Sequence, residues 1–316
     1  MSRIFRSDAV SPGDRVVVRR THNDVIGHVQ RIDATGIAIR PQKVGGFVSS
    51  LPEVWIPTED ALIIKRLSPR TVRNRDIRAI ELATAKAFPG IEHTWCGQWL
   101  LRAGDGITER SNSAAPLGPS AMFEPVPVDE IRAFYARHQL PARILIPERI
   151  AKPAEALAQD HELGPEIVVM LRQLDAITPV DLEGFEFRID DQPDAEWLQM
   201  YHFRGKPLPA HALELLRTRI DGQMGFGRLV HEGETVAITR GTISDQYLGY
   251  SAVEVKEAFR RRGLGTALGQ QMLAWGKAHG ATQAYLQVIA SNEAGIRLYR
   301  KLGFEEHHRH RYATLS

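Results

Sequence analysis

The stretch Arg-Arg-Arg-Gly-Leu-Gly at residues 260–265 decides the interpretation of this chain. It follows a short strand predicted over residues 251–255 and opens a helix. That helix has apolar residues at helical spacing: Leu264, Leu268, Met272 and Trp275. A helix that begins in a basic turn presents free backbone N–H groups and the positive end of its dipole. Because Gly263 and Gly265 carry no Cβ, a ligand can approach this backbone closely, and the turn suits a pyrophosphate.

Two further features follow in chain order. Residues 286–292 read Leu-Gln-Val-Ile-Ala-Ser-Asn, and Asn292 opens a second predicted helix. Tyr299 lies two helical turns further along the same face. Gly303 and Phe304 then supply a helix C-cap and a core anchor.

This ordered set resembles the GNAT superfamily of N-acetyltransferases, whose acetyl-CoA motif is Arg/Gln-x-x-Gly-x-Gly/Ala. Here Arg260, Gly263 and Gly265 stand at the defined positions. The resemblance covers residues 185–316 and is densest over 253–304. It implies an acetyl-CoA cosubstrate and no metal.

The resemblance also implies how the cofactor is held. Backbone N–H groups of Gly263, Leu264 and Gly265 would bind the pyrophosphate, with Arg260 and Arg261 as charge partners.

In GNAT enzymes two parallel strands splay and the pantetheine lies between them, which here implies strands 247–255 and 282–289. Backbone N–H groups near Val253 and Val255 would then bond the pantetheine and the thioester carbonyl, in an oxyanion-hole role.

In the family, the asparagine at position 292 bonds the cofactor and the tyrosine at position 299 protonates the departing thiolate. The residues themselves leave open that Asn292 only caps its helix and that Tyr299 is a packed core tyrosine. The general base is less defined. Gln287 stands where the protein N-terminal acetyltransferase branch has a glutamate, which counts against a protein N-terminus as substrate. Glu254 is on the right strand, but alternation places it on the face opposite Val253 and Val255.

Composition places the chain among soluble globular proteins. It has 316 residues, 43% of them hydrophobic and 25% charged, which allows two or three domains. The net charge of +2 is too small to indicate a nucleic-acid binder. The single cysteine, Cys96, excludes an intrachain disulfide and favours a reducing compartment. With no apolar signal segment and no spanning run, we expect a cytoplasmic protein without a membrane partner.

The chain is predicted to be an α+β protein with three regions. Residues 1–67 contain closely spaced short strands, typical of an SH3-like β-barrel. Residues 68–178 have the element order of a GNAT module without its glycine turn, so they are a degenerate GNAT-like module or an unrelated α/β cap. Within them a polar strand is predicted over residues 107–113, and its stretch Arg110-Ser111-Asn112-Ser113 is expected to line the substrate cleft. Residues 179–316 form the GNAT acetyltransferase module.

The three-part layout resembles a family in which an SH3-like barrel precedes a GNAT region and which includes N-acetylglutamate synthases. It implies an acetyl-CoA-dependent N-acetyltransferase of amino-acid metabolism that acts on a small amine, with L-glutamate favoured. Direct attack in a ternary complex is expected, because Cys96 lies in no acyl-carrier motif. A dicarboxylate acceptor needs cations, for which Arg204, Lys206 and Arg240 are candidates.

Two alternatives stay open. One is acetylation of protein lysines or N-termini. The other is a non-catalytic acetyl-CoA sensor whose barrel binds nucleic acid or protein. His308 and His310 share a strand face near the C-terminus without a carboxylate or cysteine at ligand spacing, so we expect a solvated basic edge there and no metal site. A homo-oligomer is left open.

Overall fold

The computed structural model describes residues 4–177, 180, 182–203, 206–207 and 210–315. At residues 203, 206, 207, 210, 212, 215 and 216 it describes the backbone alone. Contacts divide the chain into two compact units, Met1–Arg73 with Glu306–His308 and Asn74–Glu305 with Arg309–Ser316. No helix in the described part of the chain combines the length and the apolar run that crossing a membrane requires.

The first unit contains a five-stranded antiparallel sheet. Its strands are β1 (Arg15–Arg19), β2 (Asp24–Asp33), β3 (Gly36–Pro41), β4 (Val54–Pro57) and β5 (Ile63–Arg66). They lie in the order β4-β3-β2-β1-β5. Small β-branched side chains from four of these strands form the core, as expected for half-buried strands: Val16, Val18, Val29, Ile37, Ile39 and Ile56.

The closed SH3-like barrel predicted for residues 1–67 is not confirmed. No ladder joins β4 to β5 among the described residues, so these strands remain the edges of an open sheet. A register shift between Val29 and Arg31 lets the long strand β2 bend. Short strands at regular spacing indicate a β-sheet, but closure depends on pairing between its edge strands, which sequence periodicity does not define.

The second unit contains the remaining elements. The segment before residue 180 forms α1 (Asn74–Ala87), β6 (Glu92–Cys96), β7 (Trp99–Ala103), α2 (Val128–Arg137), β8 (Arg143–Pro147), α3 (Lys152–Leu157), β9 (Glu162–Leu163) and β10 (Ile167–Gln173). The rest forms β11 (Glu186–Asp190), α4 (Ala195–Met200), β12 (His202–Phe203), β13 (Lys206–Pro207), α5 (Ala210–Arg219), β14 (Gln223–His231), β15 (Glu234–Ser244), β16 (Tyr247–Val255), α6 (Leu264–Ala278), β17 (Gln283–Ile289), α7 (Glu293–Lys301) and β18 (Glu305–Thr314).

One large sheet organises this unit. Its strand order is β11-β14-β15-β16-β17-β10-β18-β8, with β9 paired to β18. Strands β8 and β10, from the region predicted to be a separate module, therefore lie in the same sheet as the strands of the GNAT region. Whether residues 68–178 are a degenerate GNAT module stays a prediction.

Helix α6 packs its apolar face on β15 and β16. Met272 and Leu273 are fully buried there against Leu248 of β16 and Leu286 of β17. Helix α1 also contacts β15 and β16. The centre of the sheet, where β16 and β17 run side by side, is thereby held by packing.

The strand predicted over residues 107–113 is wrong. The segment instead contains a single 3-10 turn, Glu109–Ser111. Asn112 Oδ1 accepts the backbone N–H of Gly104 at 2.8 Å, and its Nδ2 donates to the carbonyl of Thr108 at 2.8 Å. Such side chain–backbone bonds give the chain an alternative to a sheet ladder.

The solvated histidine edge is also wrong. His308 and His310 are both 0% exposed. Strand β18 lies inside the sheet, between β10 and β8, and residues 307–310 are all buried. His310 Nδ1 lies 2.6 Å from Glu81 Oε1 of α1. The basic composition of a strand does not show whether it lies at the edge or in the interior of a sheet.

Candidate active site

The parallel strands β16 and β17 part halfway along their length. They pair only from Tyr247↔Gln283 to Gly249↔Tyr285. Beyond this point the β17 residues pair with β10 on their other side. On the other side of β16, its register with β15 shifts, and Ala252 adopts a left-handed φ of 56°. A bulge of this kind bends a strand, and the gap leaves backbone groups without ladder partners.

A cleft of about 300 Å³ lies at the gap. Its walls come from β16, β17, α7 and the segment after β7. The lining residues are Glu109, Arg110, Ile167, Tyr201, His202, Tyr250, Ser251, Ala252, Val253, Glu254, Gln287, Val288, Ile289, Asn292, Tyr299 and Tyr312.

Glu254 lines this cleft together with Val253. Val253 and Val255 pack in one apolar cluster with Leu264, as alternation along the strand requires. The cleft lies along an open strand edge, so residues of both faces can border the gap. Val255 does not border the cleft. It packs instead with Leu264 and Leu268 at the start of α6.

The glycine turn has the geometry of an anion cradle. Gly263 has φ +83°, and a Cβ built there would meet nothing within 4 Å. The N–H groups of Thr266 and Ala267 donate to the Gly263 carbonyl, so those of Leu264 and Gly265 precede the helix ladder. A Cβ at Gly265 would make only ordinary contacts, the nearest at 3.5 Å. Packing within the protein therefore does not require glycine at 265.

The three arginines of the turn differ in their contacts. Arg260 Nε donates to the Val255 carbonyl at 3.0 Å, and its Nη2 lies 4.0 Å from Glu254 Oε1. Arg261 is exposed and has a left-handed φ of 62°. Arg262 lies over the Phe259 ring at 5.2 Å. Arg260 and Arg261 as partners of a pyrophosphate stay predictions.

Asn292 caps helix α7 and also borders the cleft. Its Oδ1 accepts the backbone N–H of Gly295 at 2.9 Å. This bond satisfies one of the free N–H groups at the helix start, as asparagine does at many N-caps. Because Asn292 also lines the cleft, its side-chain amide is within the site that a cofactor would occupy.

Tyr299 projects from α7 into the same cleft. Its ring packs edge-on against Tyr250, with centroids 6.0 Å apart and planes at 86°. Burial raises the pKa of Tyr299 to about 12, and the carboxylate of Glu254 contributes to the rise. The hydroxyl therefore keeps its proton at neutral pH, which is the state that a general acid requires.

A further wall, built around Phe88 after α1, borders the cleft through Arg110. Arg110 lies over the Phe88 ring at 4.2 Å from its centroid, and Arg240 of β15 at 5.3 Å. Arg240 is 1% exposed, and its Nε donates to Ser251 Oγ at 3.3 Å. Of the predicted acceptor cations, Arg240 thus lies behind this wall. Arg204 and the side chain of Lys206 lie outside the described residues.

A small chamber of about 20 Å³ continues from this wall, which is room for one water. Gln287 borders both the chamber and the cleft, and its Nε2 donates to Thr84 Oγ1 of α1 at 3.2 Å. Gln287 is thereby held by a neighbour and carries no charge. The side chain at the position of the family glutamate fixes α1 to β17 in this chain.

The structure brings together Val253, Asn292, Tyr299 and Arg110 at one cleft. The glycine turn and Val255 lie outside that lining. Sequence reasoning missed Tyr201 and Tyr312, because neither belongs to a motif and their approach to the cleft depends on long-range packing. Ser111 and its neighbours, read as part of a cleft-lining strand, are buried instead.

Parallel strands that splay beside a left-handed glycine, with a helix beginning at the next residue, define the architecture of GNAT N-acetyltransferases. The family model described as "Probable histone acetyltransferase Rv0428c C-terminal" matches residues 74–313. The chain belongs to this family and is a GNAT-type N-acetyltransferase whose cosubstrate is acetyl-CoA.

Two curated relatives extend the similarity. The chain is 32% identical over 315 residues to the probable histone acetyltransferase Rv0428c of Mycobacterium tuberculosis, covering 95% of this chain and 94% of that protein. It is 27% identical over 245 residues to the uncharacterized N-acetyltransferase YobR of Bacillus subtilis, covering 74% of this chain and 97% of that protein.

Solved structures show the same fold. A GCN5-related N-acetyltransferase from Kribbella flavida matches 75% of this chain and 95% of its own, with a TM-score of 0.55 and 18% identity. A tandem GNAT protein from the clavulanic acid biosynthesis pathway matches 75% of this chain and 87% of its own, with a TM-score of 0.55 and 16% identity. At these identities the likeness concerns the fold alone.

Proposed function

We propose that this acetyltransferase acts on the primary amine of a small molecule, with L-glutamate as the first acceptor to test. The observation that carries the proposal is the cleft itself. Tyr299, Glu254 and the cation Arg110 border one volume of about 300 Å³. A space of this size suits a small acceptor beside the end of the pantetheine.

The side chains support direct attack in a ternary complex. Glu254 takes a proton from the acceptor ammonium, directly or through a water, and frees the lone pair of its nitrogen. The nitrogen bonds to the thioester carbon, while backbone N–H groups near Val253 stabilise the negative charge that develops on the oxygen. The carbon–sulfur bond breaks, and Tyr299 donates its proton to the departing thiolate. The nitrogen, positively charged after the attack, gives up its second proton to the tyrosinate through water, which restores Tyr299 and leaves a neutral amide, and solvent takes the proton held by Glu254.

A protein lysine is the second candidate acceptor. It is favoured by one specific observation: the Mycobacterium tuberculosis relative is described as a probable histone acetyltransferase. A lysine side chain carries the same nucleophile, so Tyr299 and Glu254 would serve both acceptors unchanged. The two candidate acceptors differ in the chemical group that would contact the wall around Phe88 and Arg110.

Thiol release from acetyl-CoA, measured across amino acids, polyamines and lysine peptides, tests the proposal. We expect turnover on L-glutamate or another amino acid, with the acetyl group on nitrogen in the product. Turnover on peptides alone would support the second candidate. Tight binding of acetyl-CoA without turnover on any amine would overturn both.

A further inference from the structure

The guanidinium groups of two arginines both pack on the ring of Phe88, at the wall that would contact the acceptor. Arg110 lies 4.2 Å and Arg240 lies 5.3 Å from the ring centroid. Arg240 also lies 6.0 Å from the ring of Tyr201. Arg110 is half-buried and borders the cleft, whereas Arg240 is 1% exposed and lies behind it.

Within the described part of the chain, neither arginine forms an ion pair with a carboxylate. Arg228 shows the usual arrangement for a buried arginine, since it contacts Asp190 at 2.9 Å and Asp194 at 2.7 Å. For Arg240 the partner is only the hydroxyl of Ser251, and its Nη1 is buried without a hydrogen-bond partner among the described residues. Burial lowers the pKa of Arg240, and the charge of Arg110 acts in the same direction. A buried cation without a counter-charge is costly, so an anion bound beside it would be stabilised.

The charged residues of the cleft differ in whether they also border the small chamber. Arg110 and Ser251 border both the cleft and the chamber. Glu109 and Glu254 border the cleft but not the chamber. An acceptor with its ammonium group near Glu254 and its carboxylate near Arg110 would match this difference.

We propose that Arg110 and Arg240 bind a carboxylate of the acceptor, Arg110 by direct contact and Arg240 through its charge and its bond to Ser251. The inference rests on the proposed function and narrows it. The acceptor class is an amine that carries a carboxylate close to the reacting nitrogen, such as an amino acid. Polyamines and lysines inside a peptide lack such a carboxylate.

The test compares acceptors that differ only in this group. Initial rates of acetyl transfer are measured for L-glutamate and L-lysine and for their α-amides, L-isoglutamine and L-lysinamide. Each acceptor is tested with the wild type, Arg110→Gln, Arg110→Lys and Arg240→Gln. Arg188→Gln is the matched control, because Arg188 is an exposed arginine that pairs with Glu186 on strand β11, away from the cleft.

We expect the wild type to prefer the free carboxylate over the α-amide by about 10–100-fold in kcat/KM, the range of a charge-assisted contact. Arg110→Gln should raise KM for the carboxylate acceptor by about the same factor and leave kcat within about three-fold. KM for the α-amide and for acetyl-CoA should not change. Arg110→Lys should recover part of the loss, because it keeps the charge but not the planar fork. Arg240→Gln should weaken the same preference.

Equal rates on acids and amides, or an equal rise of KM for both in Arg110→Gln, would overturn the inference while the proposed function stands. If the wild type acetylates no amine, the proposed function fails and calorimetric titration of L-glutamate into the protein decides the inference separately. Binding that Arg110→Gln abolishes and Arg188→Gln retains would support the carboxylate site, and absence of binding to the wild type would overturn it.

Discussion

The proposed cofactor side and the proposed acceptor side of the site are built in different ways. The proposed cofactor side comes from one continuous stretch, β16 through α7, which includes the glycine turn outside the cleft lining, and its features are backbone features. Gly263 and Ala252 have left-handed φ angles, and Asn292 caps a helix. The proposed acceptor side is assembled from Phe88 after α1, the segment around Arg110, and β15, and its features are side-chain charges and rings.

This difference predicts that the cofactor side tolerates changes of sequence, whereas the acceptor side depends on the identity of its side chains. Backbone N–H groups at a helix start bind any pyrophosphate, so the cofactor side needs only its local conformation. The acceptor side depends on which side chains meet, and a single substitution there can change the substrate class. The expected effects of substitutions therefore differ in kind between the two sides.

The largest effect is expected for Tyr299→Phe, at the point where both sides meet. Loss of the general acid should lower kcat by about 100–10,000-fold, while the Kd for acetyl-CoA stays within about three-fold. The ring remains to pack on Tyr250. Tyr247→Phe, on the same sheet but outside the cleft, should keep full activity in the same thiol-release assay.

The alkaline pH profile checks the same residue. Burial raises the pKa of Tyr299 to about 12, above its usual value of 10.0. The wild-type rate should therefore not fall near pH 10 through ionisation of this hydroxyl. A raised pKa favours the protonated folded form, so its contribution to stability is present below pH 10 and is lost between about pH 10 and 12. An unchanged kcat in Tyr299→Phe would exclude Tyr299 as the general acid.

Glu254→Gln should have the next largest effect. If Glu254 accepts the amine proton, the substitution lowers kcat/KM for the acceptor by about 10–100-fold at neutral pH, and raising the pH recovers part of it. The lost negative charge should also lower the pKa of Tyr299. Glu234→Gln is the control, because Glu234 is exposed and pairs with Lys256 at 2.6 Å. Equal rates for the wild type and Glu254→Gln would mean that water, and not Glu254, accepts the proton of the amine.

Gly263→Ala and Gly280→Ala separate backbone strain from cofactor binding. Both glycines have left-handed φ angles, +83° and +92°, and a Cβ at either would meet nothing within 4 Å. Each alanine should lower the free energy of unfolding by about 1 kcal/mol. Only Gly263→Ala should also raise the Kd for acetyl-CoA, by about 10-fold, as measured by calorimetry. Equal Kd values for the two variants would contradict a pyrophosphate site at this turn.

The smallest effect is expected at Asn292. Asn292→Asp keeps the N-cap, so thermal stability should not change, whereas Asn292→Ala should cost about 1 kcal/mol. If the side-chain amide also donates to the cofactor, Asn292→Asp should raise KM for acetyl-CoA by about five- to ten-fold although the stability of the fold is unchanged. An unchanged KM would leave Asn292 with the capping role only.

The cofactor side was predictable from sequence because its signals are local. A glycine turn after a strand and an asparagine before an amphipathic helix each act within a few residues. The acceptor side was not, since the contact of Arg110 and Arg240 with Phe88 joins three distant segments. That Glu254 borders the cleft was not predictable either, because it depends on where the neighbouring strand β17 parts from β16.

The fold shows the same division. The strands predicted over residues 247–255 and 282–289 match β16 and β17 closely, since hydrophobic periodicity reports local structure. Strand order was not accessible in the same way, so the place of β18 inside the sheet, and with it the burial of His308 and His310, was missed. The open edges of the N-terminal sheet belong to the same class of long-range property.

A competition between two acceptors tests the central claim most directly. Wild-type protein is mixed with limiting acetyl-CoA and equal concentrations of L-glutamate and a histone-tail peptide with one lysine, and the acetylated products are quantified by mass spectrometry. Their ratio equals the ratio of the two kcat/KM values. The account predicts mostly the N-acetyl amino acid. A product that is mostly acetylated peptide would contradict it and assign the protein lysine as acceptor.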